Sequence, residues 1–406
     1  MPAHLRFLSI RTIALTAVLF GMPLMPAPAA EEGVRYLDPS ETDGSSAAVV
    51  VPDGPLVHTA QFLPVDDKRG IIGKGRPREQ IDMVLESING ALWLSNPTGN
   101  PVVVKLNVVT ANLDVANEVR RNLAETYSGP FKPAVSYVVG KLRHPDALVA
   151  IDAVAVSPKT AARGVVTADP KKPAVVAVLG SGPKVYVSGQ AEKGNDIAEM
   201  TRRTMESLAA TLKHLGLDLK DVVQVKSFIG PMTAVEDAER EIASFFKDGS
   251  PVPPLVFVEW TAEPSIEIEL IAGRDQGTGP VGDTIEFITP PGMQASPVFS
   301  RVARLAAGPT IYISGLYGDS RENGDAEIRE IFAQLGKLLE KSGSDFQHLA
   351  KATYYVSTNE ASAKLGTIRP EFYDPQRPPA ASKAPVAGTG RAGRTITLDM
   401  IAVPVK

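Results

Sequence analysis

The stretch Lys184-Val185-Tyr186-Val187-Ser188-Gly189-Gln190 decides the reading of this chain, because it comes back. It is a short β-rich run that closes on two small residues. Thr310-Ile311-Tyr312-Ile313-Ser314-Gly315-Leu316 has the same form, and Pro55-Leu56-Val57-His58-Thr59-Ala60-Gln61 has its outline. Thr59 and Ser188 stand 129 residues apart, and Ser188 and Ser314 stand 126 apart. A nearly constant period of this length marks one structural unit used three times.

The residues after each run support the repeat. Beyond the second run, Ile197, Thr201, Met205, Leu208, Leu212 and Leu215 recur at three- and four-residue steps, and Gly216 stands where a C-terminal cap belongs. The first stripe is Ile81, Val84, Leu85, Ile88 and Leu92. The third is Ile328, Ile331, Phe332, Leu335, Leu338 and Leu339, with Gly343 after it. A β-rich run comes next at 102–110, 222–229 and 350–357, and then a second helix at 113–127, 234–246 and 360–373. Each copy closes on two strands. The last alternates around an acid, in Ile151-Asp152-Ala153, Ile268-Glu269-Leu270 and Leu398-Asp399-Met400, a pattern that suits a sheet with one face buried. Residues 157–173, rich in Lys, Ala and Pro, and 275–294, rich in Gly and Pro, read as linkers. The domain boundaries are then 31–157, 174–274 and 295–406.

The 406 residues exceed one ordinary domain and suit two or three. The formal net charge is −4, with no basic stripe, which argues against nucleic acid as a partner. There is no cysteine, so disulfides, thiolate metal sites and a cysteine nucleophile are excluded. The histidines His58, His144, His214 and His348 show no metal-ligand spacing, and no phosphate loop or nucleophile elbow is present. No metal or cofactor is expected. At the N-terminus, Arg6 and Arg11 precede an apolar run from Ile13 to Met22, and Ala27-Pro28-Ala29-Ala30 supplies small residues. Residues 1–30 therefore read as a secretory signal peptide cleaved near Ala29 or Ala30, which makes the chain an exported protein. No later segment is long and apolar enough to span a bilayer.

Taken in order, Val187-Ser188-Gly189-Gln190, Leu208-Ala209-Ala210-Thr211-Leu212, Gly216, Asp221-Val222-Val223-Gln224-Val225, Pro253-Pro254, Val258-Glu259 and Ile266-Glu267-Ile268-Glu269 resemble the RidA/YjgF family. The middle copy matches best. The third matches across about 297–403, where Phe299-Ser300-Arg301-Val302 resembles the family's N-terminal Tyr-Ser segment, and the first is the most diverged. The resemblance implies an α+β, chorismate-mutase-like fold with two helices on one face of a mixed sheet. Family members are usually homotrimers with pockets between subunits. Three linked copies would thus form a monomer that acts as an intramolecular pseudo-trimer. The family's enzymes hydrolyse enamines and imines such as 2-aminoacrylate to 2-keto acids and ammonium. Some members are described as ribonucleases, a role that an acidic chain without a basic stripe does not suit.

The resemblance also implies a site. The family holds the substrate carboxylate with an Arg two positions after a Pro on the penultimate strand, a bidentate contact that a point charge does not copy. Here those positions are Val135, Leu255 and Ala381. The glutamate that holds the attacking water survives as Glu267, with Ala150 and Thr397 as its counterparts. Glu267 is therefore the catalytic candidate. Ser188, Gly189, Ser314, Gly315 and Phe299 are candidates for contact with a ligand, and Lys383, two residues after Ala381, for a substitute cation. Arg391 in the Gly-rich loop 388–393, and Arg394 directly after it, are also candidates to reach an anion. Three readings stand: a small-molecule binder with lost or altered deaminase chemistry, an active deaminase with a substitute anchor, and an interaction module whose pockets are filled by side chains such as Tyr137, Leu255 and Phe257.

Overall fold

The structure is a computed structural model that describes residues 33–66, 68–95, 102–157, 163–167, 172–246, 250–274, 283–320 and 324–405. The signal-peptide reading falls on residues 1–30 and lies outside the described residues. One order of elements, three strands, helix, strand, helix, two strands, occurs in three successive segments. The first holds β1 (Arg35–Ser40), β2 (Ser45–Val51), β3 (Leu56–Thr59), α1 (Pro77–Ser95), β4 (Val102–Thr110), α2 (Leu113–Thr126), β5 (Ala134–Val139) and β6 (Val149–Val156). The second holds β7 (Gly164–Val166), β8 (Val176–Leu179), β9 (Lys184–Gln190), α3 (Ile197–His214), β10 (Val222–Ile229), α4 (Val235–Ser244), β11 (Leu255–Glu259) and β12 (Ile266–Gly273). The third holds β13 (Ile285–Ile288), β14 (Val302–Leu305), β15 (Thr310–Leu316), α5 (Gly324–Ser342), β16 (Leu349–Val356), α6 (Asn359–Ile368), β17 (Ala380–Pro385) and β18 (Ile396–Ala402).

The helices form where sequence periodicity and caps agree. In α3 the Asp196 side chain accepts the Glu199 N–H at 2.8 Å, which satisfies one of the free donors of the first turn. After the helix, Gly216 takes φ +71°, a left-handed conformation open to glycine at little cost. The stripe Met205, Leu208 and Leu212 is buried against Val225 and Ile268 of the sheet. Full burial of each such side chain contributes about 1.5–3 kcal/mol. Ile81, Val84 and Ile88 do the same on Val108 and Ile151, and Ile331, Phe332 and Leu335 on Tyr354 and Leu398.

The strand pairing crosses the segment boundaries. Within each segment four strands lie in one order, β5-β4-β6-β3, β11-β10-β12-β9 and β17-β16-β18-β15. The two strands that open each segment pair with each other, but they complete the sheet of another segment. Hairpin β7-β8 joins β3, hairpin β13-β14 joins β9, and hairpin β1-β2 joins β15, which closes a ring of exchanges. Each stretch read as a linker thus holds one strand, β7 or β13. Their short apolar runs lacked periodicity because each strand is only three or four residues long.

The sheet faces away from the helices meet in a common interior. Val154, Ile271 and Ile401, equivalent residues of the three last strands, pack there with Tyr186 and Tyr312. The expectation of one buried face per sheet is corrected by this arrangement, since all eight residues of β6 are buried. Asp152 and Glu269 are each 2 % exposed. These acids point into the shared interior, where buried lysines face them.

Candidate functional site

Three equivalent junctions arise where the third strand of one segment meets the penultimate strand of another. At the junction of the second and third segments, β9 delivers Ser188 and Gly189, and β12 delivers Glu267. The Gly189 N–H donates to the Ser382 hydroxyl of β17 at 3.2 Å, and that hydroxyl donates to Glu269 at 3.0 Å. The Ser188 N–H donates to the Arg301 carbonyl at 2.9 Å. Phe299 carries the Arg301 guanidinium 4.9 Å from its ring centroid. Glu267, Ser188, Gly189 and Phe299 are therefore assembled at one place.

Glu267 is half-buried there. Its Oε1 and the Ser188 hydroxyl have no hydrogen-bond partner among the described residues. Burial pushes the Glu267 carboxyl up to about 7, reinforced by the charge of Glu269 and opposed by Ser382 and the cations Lys351 and Arg301. A carboxyl that changes protonation near neutrality can accept or return a proton at ordinary pH. Lys383 follows Ser382 and so projects from the opposite face of β17, where it is exposed. Its ammonium is held below the usual lysine range by burial and by the charge of Arg369.

Ser314 and Gly315 belong to the junction of the third and first segments. β15 and β17 are three strand spacings apart, roughly 14 Å at ~4.8 Å each, so Ser314-Gly315 and Lys383 serve different places. The Ser314 hydroxyl donates to the Ser46 carbonyl at 2.6 Å and accepts the Val135 N–H at 2.7 Å, a bridge between segments. A Cβ on Gly315 would stand 2.9 Å from Thr397 Oγ1 and 3.5 Å from the Ser136 Cα. Thr397 occupies the place that Glu267 holds at the other junction, so the last strand offers no carboxylate here.

This second place opens into a cavity of about 810 Å³ whose wall includes Gly315, Asp43 and three arginines, Arg120, Arg391 and Arg394. Arg120 lies 4.2 Å from the Tyr137 ring centroid and donates to Asn117 at 3.0 Å and to the Gly390 carbonyl at 2.8 Å. Arg391 pairs with Asp43 at 2.7 Å and stacks 4.9 Å from the Tyr317 centroid. Arg394 donates to the carbonyls of Asp319 and Ser320, both at 3.0 Å. The wall sets three guanidinium groups against the two carboxylates Asp43 and Asp319.

Reading the sequence found Arg391 and Arg394 but missed Arg120 and Asp43. The signal for Arg120 was available: it sits beside Val119 and one turn before Leu123 on the buried side of α2. At the family's Arg positions, Val135 and Leu255 are buried beneath helices, and Ala381 packs against the third segment's core. At the remaining junction the Gln61 N–H donates to the Leu255 carbonyl at 3.0 Å, and Phe257 is buried beneath Arg143.

Among the described residues no group of three His, Asp or Glu side chains is arranged to hold a metal ion, and no helix is long and apolar enough to cross a membrane.

Comparison with known proteins bears first on the middle segment. Residues 169–273 match the family described as Endoribonuclease L-PSP. Solved structures similar to parts of the chain include a YjgF-family protein from Neisseria meningitidis (21 % identity, 30 % of this chain and 96 % of that one, TM-score 0.23). A Rid-family protein of unknown function from Yersinia pestis shares 22 % identity over 30 % of this chain and 98 % of its own, with TM-score 0.28. The YjgF gene product of E. coli shares 26 % over 23 % of this chain and 82 % of its own, with TM-score 0.22. No curated protein sequence matches the chain. The family match covers residues 169–273 and so lies in the middle segment of the chain.

Proposed function

We propose that this is an exported RidA-like protein that binds a small anionic molecule at the junction of its third and first segments, with the family's hydrolytic reaction lost or altered. In this reading residues 1–30 are a signal peptide, and 31–157, 174–274 and 295–406 are three RidA-type domains. Their ring of exchanged hairpins imitates the family's trimer within a single chain, which is then a monomer.

The observation that carries the binding reading is the arginine-walled cavity of about 810 Å³. Its volume falls within the usual range for small-molecule sites, and guanidinium groups recognise carboxylate and phosphate with directed pairs of hydrogen bonds. The arginines come from a helix and a loop instead of the strand position that the family uses. Thr397 beside them offers no general base, which favours binding over turnover at this junction.

Calorimetric titration of the chain from residue 31 onward with pyruvate, 2-oxobutanoate and inorganic phosphate tests the proposal. Binding of at least one of them, lost in Arg120→Gln, supports it. Failure of all three, or hydrolysis of 2-aminoacrylate at the rate of a standard family enzyme, refutes it. Sedimentation tests the monomer.

The titratable Glu267 beside Ser188 and Gly189 favours a second reading, in which the junction of the second and third segments retains deaminase activity. That reading requires turnover that disappears in Glu267→Gln.

A further inference from the structure

The cavity between the third and first segments is polar on nearly every side. Beyond its three arginines and Asp43, the wall holds Asn117, Asp319 and Gln334. Among the described residues its aliphatic side chains are Leu316 and Ala392. Tyr317 on the same wall already carries Arg391 against its ring.

The donors of this wall are only partly used. An arginine has five N–H groups and no acceptor. Arg120 gives one to Asn117 and one to the Gly390 carbonyl. Arg391 gives one to Asp43, and Arg394 uses Nη1 on the carbonyls of Asp319 and Ser320. Each guanidinium thus keeps N–H groups without a protein partner among the described residues. Arg120 is 8 % exposed, and among those residues it forms no ion pair with a carboxylate. A cation so placed interacts more strongly with an incoming anion than one in open water does.

The acceptors are equally incomplete. Asp43 meets Arg391 through Oδ2, and among the described residues its Oδ1 has no hydrogen bond. Asp319 is exposed, and its carboxylate pairs with no cation among them. Gln334 donates its amide to the Tyr317 carbonyl at 3.1 Å, which leaves its side-chain oxygen free. These oxygens need donors from water or from a ligand. An aliphatic carboxylate brings none. Its chain would strip water from charged groups and make no hydrogen bond in return, which is costly. The two wall carboxylates also repel a second negative charge on the ligand.

Given the anion site proposed above, on which this step rests, we propose that its ligand class is a polyhydroxylated monocarboxylate, a sugar acid. The single carboxylate meets the free N–H groups of the arginines, Arg120 foremost. The hydroxyls donate to Asp43, Asp319 and Gln334 and accept from the N–H groups that remain. A hydroxyl does both, which is what a wall of mixed donors and acceptors requires.

Calorimetric titration of the chain from residue 31 onward with gluconate, hexanoate and serine, beside pyruvate and phosphate, tests this. Gluconate should bind about tenfold or more tightly than hexanoate, which has the same chain length and charge. Asp319→Ala should narrow that ratio several-fold, because it removes a hydroxyl acceptor from one ligand and a repelling charge from the other. Hexanoate bound as tightly as gluconate, or a ratio unchanged in Asp319→Ala, overturns the sugar-acid assignment, and binding of pyruvate or phosphate in the same series leaves the anion site standing. Serine bound more tightly than gluconate would mean that the wall carboxylates hold an ammonium, and overturns the assignment too. Failure of every anion overturns the assignment and the anion site together.

Discussion

The Glu267 carboxylate lies directly across Gly189, so close that a methyl group on the glycine would collide with it. The glycine leaves the room that lets an acid from β12 sit against the end of β9. Gly189→Ala should force the carboxylate aside and destabilise the fold by about 1–3 kcal/mol, the usual cost of overpacking. Urea unfolding measures the cost. An unchanged midpoint would mean that the carboxylate is free to move away.

Glu267 also sets an expected pH dependence. Its folded carboxyl is pushed up to about 7, above the usual glutamate value near 4.5. The folded state then binds the proton more tightly than the unfolded state does. Stability is full below about pH 4.5, falls as pH rises towards 7, and is level above that, with a total loss of roughly 2–3 kcal/mol. Unfolding midpoints at pH 5 and pH 8 should differ in wild type and converge in Glu267→Gln.

The pair between Arg391 and Asp43 competes with an incoming anion for the same guanidinium. Asp43→Asn frees Arg391 and should tighten phosphate or carboxylate binding several-fold, while Arg391→Gln should weaken it by a similar factor. Both effects should shrink in high salt because the site is open to solvent. Titrations at two salt concentrations check the direction and the screening together.

Lys105 reaches from β4 to Asp399 and to the carbonyl of Ile313, and so joins the first segment to the third. Burial holds its ammonium below the usual lysine range despite the attraction of Asp399. Lys105→Met leaves Asp399 buried without its closest cation, and stability should fall by about 3–5 kcal/mol. Lys105→Met with Asp399→Leu should recover much of that loss, because removal of both charges spares the desolvation of either.

The sequence carried the succession of elements clearly, because amphipathic stripes and capping glycines are local signals. Met205, Leu208 and Leu212 announce a buried helix face whatever lies beneath them. The exchange of hairpins was not legible. Val302–Leu305 suits any antiparallel edge, and only the geometry of three sheets decides that its neighbour is β9 and not β15. The same holds for function. Ser188, Gly189 and Glu267 lie near one another because adjacent strands carry them. Arg120 reaches the cavity from a helix far away in sequence, and Lys383 is turned away from Ser382 by the pleat of β17. The acids Asp152, Glu269 and Asp399 were visible as a repeated pattern, but the lysines paired with Glu269 and Asp399 come from other strands, Lys351 and Lys105 from other segments as well.

The pairing of β2 with β15 has a consequence for how the chain comes into being. Val51 lies opposite Thr310, so a strand made near the beginning of synthesis waits for one made near its end. Until residues 310–316 emerge, the third strand of the ring does not exist and the leading hairpin keeps a bare edge. Contacts of such long range slow folding, because the intervening chain must be ordered before they are gained. A ribosome-bound chain therefore cannot complete its architecture early. It remains threadable until its last quarter arrives, and a chain cut short before residue 310 carries an open sheet edge to which another truncated chain can add.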